Sequence, residues 1–210
     1  MRKTMLLTLF IISFGVAFSQ TAKENLENDF TNFVNLKYEG QFEKSLDYLA
    51  EDIFKMIPKE AILAFREETR WGEPVSMIED EILFYVTLTL GNLEILETSN
   101  IEKIKDRRYA IITFRKIIME VQIPTEGENL ENAKEKGIEL TKFYSKILGA
   151  GNVEYNEETN VIKIKEIRDI IAVSKNGIDT WKFMDTPDEV LLTMFIPQKI
   201  LKRTRKKTLF

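Results

Sequence analysis

At Met77 the hydrophobic period of this chain switches from helical to extended, and that switch constrains the fold more than any other feature. Upstream, Leu26, Phe30, Phe33, Val34 and Lys37 fall at i, i+4, i+7, i+8 and i+11, a single stripe with Glu, Asn and Asp opposite, which predicts a helix over 22–37. Gly40 supplies its left-handed stop. A shorter helix is expected over 41–50 from Phe42, Ser45, Leu46 and Leu49, then a turn over 52–57. Pro58 suits the start of a third helix that turns Ala61, Ile62 and Phe65 inward and runs to Arg70, where Trp71-Gly72-Glu73-Pro74 breaks it.

Downstream, residues 78–90 and 93–104 are rich in Ile, Leu, Val, Thr and aromatics and read as strands joined at Gly91-Asn92. Asp106-Arg107-Arg108 makes another turn, and Tyr109 to Val121 is a long strand. Pro124 to Asn129 reads as a polar loop. Helical spacing returns over 130–148 through Leu130, Ala133, Leu140, Tyr144 and Ile147, until Gly149-Ala150-Gly151 stops it. Val161 to Val173 and Thr180 to Met184 read as strands joined by a hairpin at Lys175-Asn176-Gly177. Thr186-Pro187-Asp188-Glu189 combines a capping box with Pro at the first helical position of a terminal helix. Helices grouped at one end and followed by hairpin-linked strands predict an α+β fold, with helices packed on one face of an antiparallel sheet.

The first nineteen residues read differently from the rest. Arg2 and Lys3 precede an apolar run from Met5 to Phe18, and Ala17-Phe18-Ser19 has the small-x-small form of a cleavage site. That is the layout of a secretory signal peptide, and the run falls short of the roughly 17–25 apolar residues of a spanning helix. The expected organisation is a signal peptide over 1–19, one domain over 20–198 and a basic tail over 199–210, with the mature protein periplasmic or extracellular and not inserted in the membrane.

The chain contains neither Cys nor His. Without Cys there is no disulfide and no acceptor for an N-terminal lipid, so an exported domain must rely on its core; about 190 residues suffice, since chains of that size bury roughly 70% of their unfolded surface. Without His, imidazole bases, Ser-His-Asp triads and His-ligated metals are excluded. No EF-hand spacing and no Gly-rich phosphate loop is present, and no metal or cofactor is expected. Removing residues 1–19 leaves 28 basic against 34 acidic side chains, and without Lys199, Lys202, Arg203, Arg205, Lys206 and Lys207 of the tail the body stands at −12. Such a body repels nucleic acid and anionic membrane.

Element order and four local phrases resemble the nuclear transport factor 2-like (cystatin-like) superfamily, in particular its small exported members from Bacteroidota-type bacteria. The phrases are Tyr38-Glu39-Gly40-Gln41-Phe42-Glu43-Lys44-Ser45-Leu46-Asp47-Tyr48-Leu49, Ile57-Pro58-Lys59-Glu60, Gly151-Asn152-Val153-Glu154-Tyr155 and Thr180-Trp181-Lys182-Phe183. The resemblance implies a strongly curved sheet wrapped around a long helix as a cone, with the helix over 130–148 as an insertion that lids the cone or covers a sheet edge. Relatives of this kind include isomerases, dehydratases and epoxide hydrolases as well as catalytically silent binding and assembly modules, so only pocket residues discriminate.

Candidate pocket residues are Tyr48, Trp71, Tyr85, Tyr109, Arg115, Arg168, Asp169 and Trp181. Tyr48 and Trp71 are expected at the cone mouth, and Trp181 on the last strand. Strand parity puts Arg168 and Asp169 on opposite faces, and groups Arg115 with Tyr109, Ile111, Thr113 and Ile117 against a more apolar face of Ala110, Ile112, Phe114 and Ile118. Arg115 is therefore expected outside the core or at its rim. The plainer reading makes the charged residues surface ion pairs and the aromatics core. A carboxylate base needs burial or a like charge to raise its pKa, and Asp47, Asp80, Glu81, Asp169 and Asp185 all lack a clearly apolar local setting. Glu126-Gly127-Glu128 and Glu154-Tyr155-Asn156-Glu157-Glu158 read as solvated loops rather than calcium sites. The resulting expectation is an exported, non-catalytic module that binds a small apolar ligand or a protein partner. The alternatives are an isomerase, dehydratase or hydrolase using a carboxylate with Tyr, and a homodimeric interaction module.

Overall fold

A computed structural model describes residues 2–38, 40–68, 74–79, 82–124, 130–186 and 189–204, with side chains described for most of them from Gln20 onward. The chain is α+β. Helices α1 (Arg2–Tyr38), α2 (Phe42–Ser45), α3 (Glu51–Phe54) and α4 (Lys59–Glu68) come first. Strands β1 (Pro74–Glu79), β2 (Ile82–Thr98), β3 (Glu102–Ile104) and β4 (Arg107–Gln122) follow, then α5 (Leu130–Leu148). Strands β5 (Val153–Asn156), β6 (Val161–Ser174) and β7 (Lys182–Met184) and helices α6 (Glu189–Phe195) and α7 (Gln198–Leu201) complete it. The sheet has seven strands in the order β1-β2-β4-β6-β5, with β3 on β4 and β7 on β6, and β1–β2, β3–β4, β5–β6 and β6–β7 pair antiparallel. Among the described residues, no helix is long and apolar enough to cross a membrane.

The described residues divide into two compact units: those within 2–63, 97–113 and 169–204 form the first, and those within 64–96 and 114–168 the second. In the first unit, Ala22, Leu26, Phe30 and Phe33 of α1 are buried at helical spacing. Phe183 meets Phe30 edge-on at 5.5 Å and stacks on Phe33 at 5.3 Å. These aromatics each contribute roughly 1.5–3 kcal/mol by leaving water. In the second unit, Phe84, Val121, Ile123, Ala133, Ile162 and Ile164 form a core that Leu140, Tyr144 and Leu148 of α5 pack against.

Several expectations are corrected. The helix expected over 41–50 breaks into α2, a 3-10 turn at Leu46–Tyr48 and α3, because Leu49 bridges Phe183 and the Ala50 amide donates to the Phe183 carbonyl at 3.0 Å. Tertiary pairing has taken the amide that helix continuation needs. Gly91-Asn92 makes no turn: β2 runs through it, and Gly91 is not one of the positive-φ glycines. β2 pairs instead with the preceding β1, Glu79 opposite Ile82. Lys175-Asn176-Gly177 is no two-residue hairpin either, since Val173 pairs with Lys182 and only Gly177 of the dipeptide has positive φ. A type I′ turn would need both central residues left-handed. Glu154-Tyr155-Asn156 belongs to β5 and not to a solvated loop. Trp71, Asp80, Glu81, 125–129, 187–188 and the tail from Arg205 lie outside the described residues.

The expected one-sided burial of β4 also fails. Tyr109, Ala110, Ile111, Ile112 and Thr113 are each under 7% exposed, so successive residues are covered on both faces. Arg115 is half-buried, as a rim residue should be.

Candidate functional site

Three turns of the first unit meet around a cleft of about 290 Å³. The start of α3 contributes Glu51 and Asp52, the start of β4 contributes Arg107, and the connection from β6 to β7 contributes Ser174, Lys175, Asn176, Asp179 and Thr180, with Lys182 beyond it.

Asp52 is the charged anchor, only 5% exposed. Its carboxylate accepts from Arg107 Nη1 and from Lys55 Nζ. Burial alone would push the Asp52 pKa up, but the hydrogen bonds from Arg107 and Lys55 outweigh it and hold the carboxyl below its ordinary range. Tyr109 is buried beside this pair, and burial raises its phenol pKa against the lowering effect of Arg107. At neutral pH the site therefore holds an ionised, doubly compensated carboxylate and a protonated phenol.

The loop wall is prebuilt. Asn176 Oδ1 accepts from the Ile178 amide at 3.0 Å and the Asp179 amide at 3.3 Å, and Ser174 Oγ accepts from the Gly177 amide at 2.9 Å. One turn of α1 then clamps the loop: Asn25 Nδ2 donates to the Ile178 carbonyl at 2.9 Å, and Asp29 accepts from the Trp181 amide at 2.9 Å. Lys182 donates to the Asp47 carbonyl and lies 6.0 Å over the Tyr48 ring. Loops tied this way to a scaffold helix are where binding groups concentrate. Among the described residues no three acidic side chains gather as a metal site.

The expected residues scatter. Tyr48 and Tyr109 neighbour the cleft through Lys182 and Arg107. Asp169 accepts from Thr113 Oγ1 at 2.7 Å, and Trp181 is 1% exposed and part of the core. Tyr85, Arg115 and Arg168 belong to the second unit: Tyr85 is exposed opposite Ser76, Arg115 pairs with Glu94 at 3.0 Å, and Arg168 Nε lies 3.8 Å from Glu166. Arg168 and Asp169, adjacent in sequence, thus have separate partners. Trp71 lies outside the described residues. Nothing in the local sequence marks Asp52, Arg107, Asn176, Asp179 and Lys182 as site residues. Three of the turns that carry them are legible in the sequence, but nothing local states that those turns converge.

No family model, curated protein or solved structure matches the chain.

Proposed function

We propose that this chain is an exported, non-catalytic binding module whose loop-lined cleft recognises its ligand or protein partner through polar groups. The observation that carries this is the Asp52–Arg107–Lys55 cluster, which supplies charge and hydrogen-bond donors without a free base. Arg107, Lys175, Lys182, Glu51 and Asp179 line the same cleft beside Ala50 and Val173, so a ligand there would meet charged groups as well as apolar surface. Export rests on residues 1–19 as a cleaved signal peptide. The nuclear transport factor 2-like assignment, with the sheet curved into a cone, belongs to the same proposal and draws its support from helices followed by long antiparallel strands.

Native mass spectrometry of residues 20–210, with amide NMR as the locator, tests the reading. A bound mass that leaves on denaturation, and shifts at 51–52, 107 and 173–182 that Arg107→Gln abolishes, are expected. Turnover of added esters or epoxides that Asp52→Asn abolishes would replace binding with catalysis.

A second reading, self-association, is favoured by one feature. Edge strand β1 leaves Val75 and Met77 nearly half exposed, beside backbone groups able to pair with another strand.

A further inference from the structure

The second unit carries a charged cleft of its own, of about 420 Å³. Arg115, Lys116, Lys163 and Lys165 line it against two acids, Glu94 and Glu154, with Leu93 and Ile117 as its apolar part. Four cations beside two acids in one cleft stand out in a body whose net charge is strongly negative, although Lys116 is neutralised outside the cleft by Glu166, which leaves an excess of one.

Lys116 is committed elsewhere: it is buried, lies 5.9 Å over Phe114 and sits 3.5 Å from Glu166. The other three cations each pair with one carboxylate. Arg115 pairs with Glu94 at 3.0 Å, Lys165 with Glu154 at 2.5 Å and Lys163 with Glu120 at 3.6 Å. The acids of the first two pairs are the exposed partners, Glu94 at 57% and Glu154 at 60%, against 36% for Arg115 and 27% for Lys165. The cations are thus set on the central strands β4 and β6, and the carboxylates stand at the rim. Carboxylates this exposed are weakly held and easily exchanged. Arg115 Nε is buried and donates to no acceptor among the described residues. The planar guanidinium of Arg115, whose Nη1 is held only by the exposed Glu94, suits an oxyanion with several acceptor oxygens.

We propose that this cleft is a binding site for a small phosphate monoester, held by Arg115, Lys163 and Lys165, with its organic part on Leu93 and Ile117. A single head group that replaces both rim carboxylates must bring two negative charges, which a monoester does and a carboxylate does not. The site is independent of the cleft around Asp52 and does not rest on the function proposed for it.

The test is an amide NMR titration of residues 20–210 with phenyl phosphate at constant ionic strength, beside vesicles with and without phosphatidic acid. Saturable shifts at 93–94, 115–117 and 163–165 are expected, weakened roughly tenfold by Lys163→Gln with Lys165→Gln. Glu94→Gln with Glu154→Gln should tighten binding several-fold, because the competing carboxylates are gone. Both pairs replace exposed or half-exposed side chains, and an unchanged melting midpoint would confirm that they fold. Binding to phosphatidic acid vesicles as well would make a lipid head group one source of the ligand. The proposal is overturned by shifts that chloride reproduces, by none below about 10 mM phenyl phosphate, or by rim variants that bind no more tightly.

Discussion

Gly137 of α5 stands directly against the phenol of Tyr155 on β5: a Cβ at Gly137 would lie 2.4 Å from Tyr155 Cζ and Oη. The ring has no simple way to retreat. Its hydroxyl donates to Asn160 Oδ1, and Asn160 is itself buried, donating through Nδ2 to the Ile123 carbonyl at 3.1 Å. Gly137→Ala should therefore destabilise by about 1–3 kcal/mol, overriding the roughly 1 kcal/mol that Ala gains over Gly within a helix. Urea unfolding measures this. Adding Tyr155→Leu should recover part of the loss as a coupling energy, and a stabilised Gly137→Ala protein would show that the helix does not approach β5 so closely.

The Asp52 cluster predicts a specific acid limb. Because the folded pKa of Asp52 lies below 3.8, its contribution is fully present above that value and is lost as pH falls through the lower folded pKa. Asp52→Asn should cost about 1–3 kcal/mol at neutral pH, less than the roughly 3–5 kcal/mol of a fully buried pair because Arg107 and Lys55 keep water contact. Denaturation midpoints measured from pH 2 to 7 should fall less steeply in the variant. Parallel curves would remove Asp52 as the source of the dependence.

The alkaline side has its own reporter. Burial works against the Lys37 ammonium, but the charge of Asp185 beside it prevails and raises its pKa above 10.5. The stabilisation is present below 10.5 and is lost as pH rises through the higher folded value. Asp185→Asn should flatten the decline of the melting midpoint at high pH while leaving the acid limb of Asp52 unaltered.

Phe183 is fully buried between Phe30 and Phe33, so Phe183→Ala should cost roughly 3–5 kcal/mol through lost burial and the cavity left behind. The same change should disturb the Ala50 amide bonded to the Phe183 carbonyl, which faster hydrogen exchange at Ala50 would report.

If the edge of β1 mediates self-association, Met77→Lys should shift the sedimentation equilibrium toward monomer without altering the melting midpoint of the monomer. An unchanged monomer at high concentration in both proteins would discard that reading.

Long periodic elements were the legible part of this chain. The stripe of Leu26, Phe30 and Phe33 is buried as its spacing requires, and α5 covers 130–148 with its stop at Gly149, whose φ is +89°. Such elements carry their own pattern, because each turn of a helix or step of a strand repeats the same inside–outside choice. Short elements are less legible. The stretch after Gly40 has helical spacing, yet Phe183, far along the chain, claims the backbone of Leu49 and Ala50. Gly91-Asn92 has turn chemistry, yet β2 continues through it.

The candidate site shows the same division. Sequence alone determined an α+β order and a chain without imidazole or thiol chemistry, and marked chain reversals before Arg107 and around Asn176; the turn expected from Asp52 is instead the start of helix α3. Tertiary structure alone decided that these segments meet, that Asp52 is buried between two cations, and that Arg115, Lys163 and Lys165 share one cleft. The reason is physical: hydrophobic period is local to each segment, whereas the pairing of a charge depends on which distant segment the core brings beside it.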